Sequence, residues 1–419
     1  MKLYIGQDNT KITNHLKNKF ELEQGLDTKF LNKREDCEMF DFVGLVAKKK
    51  ELLVVFPKHY FSSIDIYKIN NDALNVDFDV KLLFDTIYKY TSSRNKQAKA
   101  SKYFGDNIEY ISDYPFAAFF SIYRYFQQFG IYNERERVVK KNSLGRVSWK
   151  ETIRKSQHIV SGSNLIFLPL VTLQNKSFQV LLGDCMVFAI NYTLEKFHFL
   201  ISLPKISYSK SNFDFLENIH FLIKHLKLKK TEVFKDIHRG LIDDLINFYL
   251  DLEKCQSRGG DVHVKIKYFN LVWEEMIEKY LNNHFIGVNL DQNGLMFHKS
   301  KQHHSKLFSK RMFKVDQSMN EYTITPDHYL IDDKLQYIFD AKYYANIESL
   351  NYKQFSYHEM LKTQSQKTIS ALLLPSDDEN NSSIHFSLAN DFMSNDSART
   401  IIILQNLNMK DVMNSYVNS

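Results

Sequence analysis

The chain has 419 residues, 44% of them hydrophobic and 25% charged, values that exclude a disordered, collagen-like or disulfide-built protein. At about 150 residues per domain the length implies two or three domains. The net charge of +6 is compatible with a polyanionic partner, but a bias toward Lys, Asn, Ile, Phe and Tyr, with only 13 Gly and 6 Pro, accounts for it equally well. Cys37, Cys185 and Cys255 are widely spaced and form no CxxC, which points to a reducing, cytoplasmic setting without a cysteine zinc site. The Met1–Asp8 start lacks the apolar core of a signal peptide, and no run reaches the roughly 18 apolar residues of a membrane span.

In chain order, Phe40–Ala47 and Leu52–Lys58 flank a lysine turn and predict adjacent strands. Helical spacing predicts helices around Asp79–Tyr90 and Pro115–Phe129. A basic-leaning stretch, Asn133–Lys155, contains Gly145–Ile153. Asn164–Leu203 reads as paired strands, and Phe213–Leu252 as two helices. Gly259-Gly260 is the only Gly-Gly pair in a glycine-poor chain and predicts a boundary. Beyond it come a helix over Lys265–Leu281, strands to about Lys342, a helix over Tyr352–Thr368, strands at Ile369–Leu374 and Thr400–Leu404, and a short C-terminal helix. Ser376–Ser383 reads as a polar loop. The expected organisation is a mixed α/β adaptor over 1–130, a β/helical region over 131–258 and a mixed α/β domain over 259–419.

Chemistry concentrates between Tyr322 and Lys342. Asp332-Asp333-Lys334 is a turn signal between two β-like runs, so the segment predicts a hairpin. On its second strand Asp340 and Lys342, two residues apart, share a face. Asp327 comes near them across the hairpin or its diverging end. Two carboxylates and one ammonium around one point suit phosphodiester hydrolysis. Mg²⁺ binds through one or two carboxylates and substrate phosphates, with Mn²⁺ the expected substitute, and offsets charge in the transition state. Lys342 would position the attacking water and stabilise developing negative charge.

Pro326-Asp327 followed by Asp340-Ala341-Lys342 resembles the PD-(D/E)XK nuclease motif. That resemblance implies a core in which a helix bearing an acid precedes a three-stranded meander, a helix and a further strand. Glu274 matches the helix acid, with Glu275 the alternative, and Gln354 and Tyr357 resemble accessory residues of the later helix. The implied metal ligands are Asp327, Asp340 and the Ala341 carbonyl, assisted by Glu274. More narrowly, Asp340–Tyr344 with Lys353-Gln354, Phe42–Gly44 leading to Val54–Lys58, and Gly145–Ile153 resemble LlaJI-type restriction endonucleases, relatives of McrC. This implies cleavage of double-stranded DNA to 5′-phosphate and 3′-hydroxyl ends, in partnership with an McrB-like AAA+ GTPase. The chain has no Gly-Lys dipeptide and hence no Walker A loop, so nucleotide-driven work falls to a partner.

Alternatives stay open at this level. They are a stand-alone restriction or repair nuclease, and a non-catalytic DNA-binding or assembly subunit on the same fold. Asp332 and Asp333 are read as turn residues, and His303-His304 as structural, since neighbours on a strand point opposite ways. Glu278 could replace Glu274. Gly294–Val315 contains no acid, while Lys299, Lys301, Lys306, Lys310, Arg311 and Lys314 make it either a phosphate-tracking surface or a solvated face. The Lys224–Arg239 cluster is interrupted by Glu232 and Asp236. Oligomeric state is open, a dimer included.

Overall fold

The structure, a computed structural model, describes the chain outside positions 1, 31–36, 49–50, 71–74, 99–109, 113, 142–145, 162–163, 199, 202, 208–212, 258–260, 290–293, 303–305, 317–321, 333, 345 and 393–398. It is a mixed α/β protein of two compact units, one formed by residues 1–114 with 258–419 and the other by 115–257. Among the described residues no helix is long and apolar enough to cross a membrane.

The first unit contains two five-stranded sheets. The N-terminal sheet is built from β1 (Lys2–Gln7), β2 (Val43–Lys48), β3 (Glu51–Phe56), β4 (Tyr110–Ser112) and β5 (Val262–Ile266), in the order β1-β3-β2-β5-β4. Strands β2 and β3 form the expected hairpin. Leu52 through Phe56 are all buried, so this strand is a continuous apolar run. Its neighbour β2 pairs antiparallel with β5, a strand more than 200 positions later. The approach depends on Gly44: its φ is +149°, and a Cβ there would fall 1.9 Å from the Val264 carbonyl oxygen. One register position is sealed by a buried ion pair, Lys265 to Asp27 at 2.7 Å.

This pairing changes the reading of Lys265–Leu281. Val262–Ile266 is a strand, and the helix, α1, runs from Phe269 to His284. Alternation in Val262-His263-Val264 and the waiting partner strand outweigh helical spacing. Residues 1–114 and 258–419 therefore share one unit, where the sequence divides them into separate regions. Gly259-Gly260 lies outside the described residues.

The second sheet contains β6 (His328–Asp332), β7 (Leu335–Ala341), β8 (Lys367–Ser376), β9 (Asn381–Ser387) and β10 (Ile401–Asn408), in the order β6-β7-β8-β10-β9. Strands β6 and β7 are the predicted hairpin, whereas β7, β8 and β10 are parallel. Parallel strands are covered on both faces, and accordingly Ala371, Leu372, Leu373 and Leu374 are all buried. Helix α2 (Tyr352–Leu361) crosses between β7 and β8. It is shorter than the predicted 352–368, because Lys367 already donates its N–H to the Lys334 carbonyl and enters the sheet. Likewise β9 starts at Asn381, inside the predicted loop. The chain ends on α3 (Met409–Val417).

The second unit has strands at Asn133–Lys141 and Val171–Gln179, paired antiparallel, and a hairpin of Gln157–Ser161 with Asn164–Leu168. Helices span Phe116–Phe129, Leu181–Lys196, Ile219–Glu232 and Asp236–Ser257. Leu181–Lys196 corrects the expectation of strands up to Leu203. Leu182, Cys185, Met186, Val187, Ala189 and Ile190 are all buried, and a helix buried nearly all round carries no clear periodicity.

Candidate active site

The site forms where β6 and β7 meet α1 and α2. In the hairpin His328 pairs with Phe339, so Asp327, one residue before β6, comes level with Asp340. Both are buried, Asp340 completely. Lys342 follows on the same face of the strand line, and its backbone N–H donates to the Leu373 carbonyl at 2.9 Å, extending the sheet past the last β7 residue. The Lys342 ammonium pairs with Asp340 Oδ2 at 2.5 Å. The hairpin thus brings Asp327, Asp340 and Lys342 together.

Burial, then the hydrogen bond with Asp340 and the charge of that carboxylate, push Asp327 up to about 8. Asp340 moves the opposite way. Burial works against its ionisation, but the hydrogen bond from Asp327 and the Lys342 and Lys353 ammoniums hold it below the usual range. The two buried carboxyls are thus pushed in opposite directions, Asp327 toward its neutral form and Asp340 toward its carboxylate.

Glu274 reaches this field from α1. Its neighbour Trp273 is fully buried and donates its indole N–H to the Leu373 carbonyl at 3.3 Å, locking that helix turn to β8. Burial raises the Glu274 carboxyl, Asp340 raises it further, and Lys310, Lys353 and Lys342 oppose the shift. Glu275 is engaged elsewhere, accepting a hydrogen bond from the Tyr416 hydroxyl at 2.6 Å. Glu278 is raised by burial and by Glu275, with Lys279 and Lys310 opposing the shift.

Gln354 and Tyr357 share the inner face of α2. The Gln354 amide donates to the Ile338 carbonyl at 2.6 Å and the Ala371 carbonyl at 3.4 Å, clamping β7 and β8 just before Asp340. The Tyr357 hydroxyl donates to the Thr325 carbonyl at 3.3 Å, and its ring packs with Tyr329, Ile338 and Leu361. Both side chains hold backbone around the carboxylates.

Sequence reasoning did not assign a role to Lys353, although it stands beside Gln354. Its Nζ lies 3.4 Å from Asp340 Oδ1 and 3.9 Å from Asp327 Oδ1. The first turn of a helix packed on β7 is the signal that could have marked it. His328 was also missed. Burial drives its imidazole down to about 3, leaving it neutral, and among the described residues neither ring nitrogen has a hydrogen-bond partner. Beyond Lys342, Tyr343 ties the strand exit to the N-terminal sheet: its hydroxyl accepts the Lys58 N–H at 2.8 Å, and the Lys58 ammonium lies 4.6 Å from its ring centre.

The basic stretch is dispersed. Lys310 acts on both Glu274 and His328. Lys306 pairs with Asp332 at 2.9 Å, Arg311 lies over the rings of Phe313 and Tyr329, and Lys301 bonds the Asn418 carbonyl at 2.5 Å. Lys299 lines a groove with Lys301 and Lys410, and Lys314 pairs through its strand with Thr323. His303-His304 lies outside the described residues.

Among the described residues no three His, Cys, Asp or Glu side chains gather at metal-ligand spacing. The aspartate pair nevertheless suits a hard divalent ion, which binds through one or two carboxylates. Both carboxyls are buried, and two ammoniums, those of Lys342 and Lys353, already stand against them, so the place is one that attracts positive charge.

Residues 42–410 match the LlaJI restriction endonuclease family. The chain belongs to this family. It is accordingly a nuclease of the restriction-endonuclease type. No curated protein matches the sequence. Among solved structures, a chain in the "Refined half-complex from tetradecameric assembly of Thermococcus gammatolerans McrB AAA+ hexamers with bound McrC" aligns over 100% of this chain and 99% of its own. The identity is 13% and the TM-score 0.39.

Proposed function

We propose that this LlaJI-family protein is a Mg²⁺-dependent endonuclease of PD-(D/E)XK type that cuts double-stranded DNA in restriction of foreign DNA. The observation that carries the reading is the meeting of Asp327, Asp340 and Lys342 at one point of the hairpin, beside a helix that presents Glu274. Asp327, Asp340 and the Ala341 carbonyl would hold the ion, with Glu274 assisting. When bound, the ion supplies positive charge against the scissile phosphate and eases deprotonation of the attacking water. Mn²⁺ is expected to substitute.

The residues themselves do the positioning. The Lys342 ammonium, held against Asp340 Oδ2, directs water and offsets charge developing on the phosphoryl oxygens. Gln354 and Trp273 fix the backbone of β7 and β8, so that the Asp340 carboxylate has one orientation. Products with 5′-phosphate and 3′-hydroxyl ends belong to this reading. So does an McrB-like AAA+ GTPase partner, which the family resemblance implies; any nucleotide-driven step would fall to it, as the chain has no Gly-Lys dipeptide and hence no Walker A loop.

Asp340→Ala should abolish cleavage of a DNA substrate in Mg²⁺, assayed with and without GTP and an McrB-like subunit. Lys342→Ala should lose cleavage while retaining DNA and Mn²⁺ binding. Robust cutting by folded Asp340→Ala, or wild-type rates for Lys342→Ala, would remove the assignment.

A further inference from the structure

Among the described residues Lys353 alone bridges the two buried carboxylates, and it does so along their Oδ1 edges, 3.4 Å from Asp340 and 3.9 Å from Asp327. Lys342 takes the other oxygen of Asp340. The two ammoniums therefore do different work. The Lys342 side chain is 16% exposed and sits at the strand end, whereas the Lys353 side chain is 45% exposed and comes from α2.

Below that side chain α2 is anchored. The Asn351 side chain caps it by accepting the Gln354 N–H at 2.9 Å, and the Gln354 amide bonds the β7 backbone at 2.6 Å. The Lys353 ammonium itself is held loosely. Besides the two long contacts to carboxylate oxygen it has the Tyr357 ring, its centre 5.4 Å away, an attraction of modest strength at a partly exposed position. A fixed backbone with a flexible, half-exposed side chain describes an ion that can leave its place without disturbing the fold.

We infer that Lys353 is a tethered competitor for the divalent cation. Its ammonium neutralises the Asp327–Asp340 pair in the metal-free protein and swings out as the ion enters, so that Lys353 sets the metal concentration at which the site fills. It is a positioning residue whose role rests on the aspartate pair being the metal-holding group. A tethered ion that occupies a site most of the time lowers apparent affinity by the reciprocal of the vacant fraction.

The test titrates full-length, chelator-stripped protein with Mn²⁺ at pH 8 by calorimetry, comparing wild type, Lys353→Met and Asp340→Asn. Lys353→Met should bind Mn²⁺ on the order of three- to tenfold more tightly than wild type, and Asp340→Asn should lose binding. A readout on wild type needs no substitution: acylation of the Lys353 amine, followed by mass spectrometry, should rise when Mn²⁺ saturates the site. Equal or weaker Mn²⁺ binding by Lys353→Met, or acylation of Lys353 indifferent to Mn²⁺, overturns the inference while leaving the metal site standing. Absence of Mn²⁺ binding by wild type, or unchanged binding by Asp340→Asn, overturns the metal site itself.

Discussion

Asp327→Asn should make the metal-free protein more stable, and the gain should grow with pH. Between the ordinary value of 3.8 and about 8, folded Asp327 keeps a proton that the unfolded chain has released. The folded state then binds more protons than the unfolded one, so stability falls as pH rises through that window. Each pKa unit is worth about 1.36 kcal/mol. Water at the 8% exposed carboxyl and the nearby Lys353 reduce the full linkage, leaving an expected cost of about 1–3 kcal/mol at pH 8. Asparagine removes the titration, nearly preserves volume, and supplies an N–H toward Asp340 in place of the proton kept by Asp327. Urea unfolding in chelator from pH 5 to pH 8.5 should show the variant ahead by about 1–3 kcal/mol at pH 8, with the gap narrowing toward pH 5. Added Mg²⁺ should restore wild type and leave Asp327→Asn little changed. Parallel pH profiles, or a variant less stable than wild type at pH 8, would refute the picture of a buried Asp327 carboxyl held neutral beside Asp340.

Gly44→Ala should cost at least about 3 kcal/mol in urea unfolding, because the Cβ would overlap the Val264 carbonyl at 1.9 Å; a near-neutral variant would contradict the pairing of β2 with β5. Gln354→Leu should lose about 1–2 kcal/mol by leaving the buried Ile338 carbonyl without its donor, offset in part because the orphaned Gln354 Oε1 also disappears. Unchanged stability there would mean the clamp between β7 and β8 contributes nothing. Lys310→Glu should weaken DNA binding and reduce its salt slope by about 1 in fluorescence anisotropy. Lys301→Glu should change it less, since Lys301 is engaged with the Asn418 carbonyl, and equal effects would return the basic stretch to a single phosphate-tracking surface.

The parts of the site that were legible in the sequence are local. Asp340 and Lys342 share a strand face by period-two geometry, and β6 returns along β7 with Asp332 paired to Leu335. Glu274 or Glu275 was a choice that helix spacing left open, because adjacent helix positions lie about a quarter turn apart. The distant Tyr416 hydroxyl donates to Glu275, whereas Glu274 lies in the field of Asp340. Lys353 was hidden for a similar reason: its significance lies in the packing of α2 against β7, a contact between elements. Helix Leu181–Lys196 was misread as strand because burial on nearly every side erases the periodicity by which helices are recognised.

By itself, then, the sequence determined the α/β class, the hairpin, and the presence on it of two acids and a lysine, since these follow from spacing within a few residues. Tertiary structure alone decided that Val262–Ile266 joins a sheet begun at Lys2, through the close approach that Gly44 permits to β5. It also decided that Asp327 and Asp340 are buried side by side, with the Asp327 carboxyl pushed up, and that Lys353 spans them. The physical reason is common to these cases. Burial and charge proximity depend on which surfaces meet, and residues far apart in the chain meet only when the whole unit has folded.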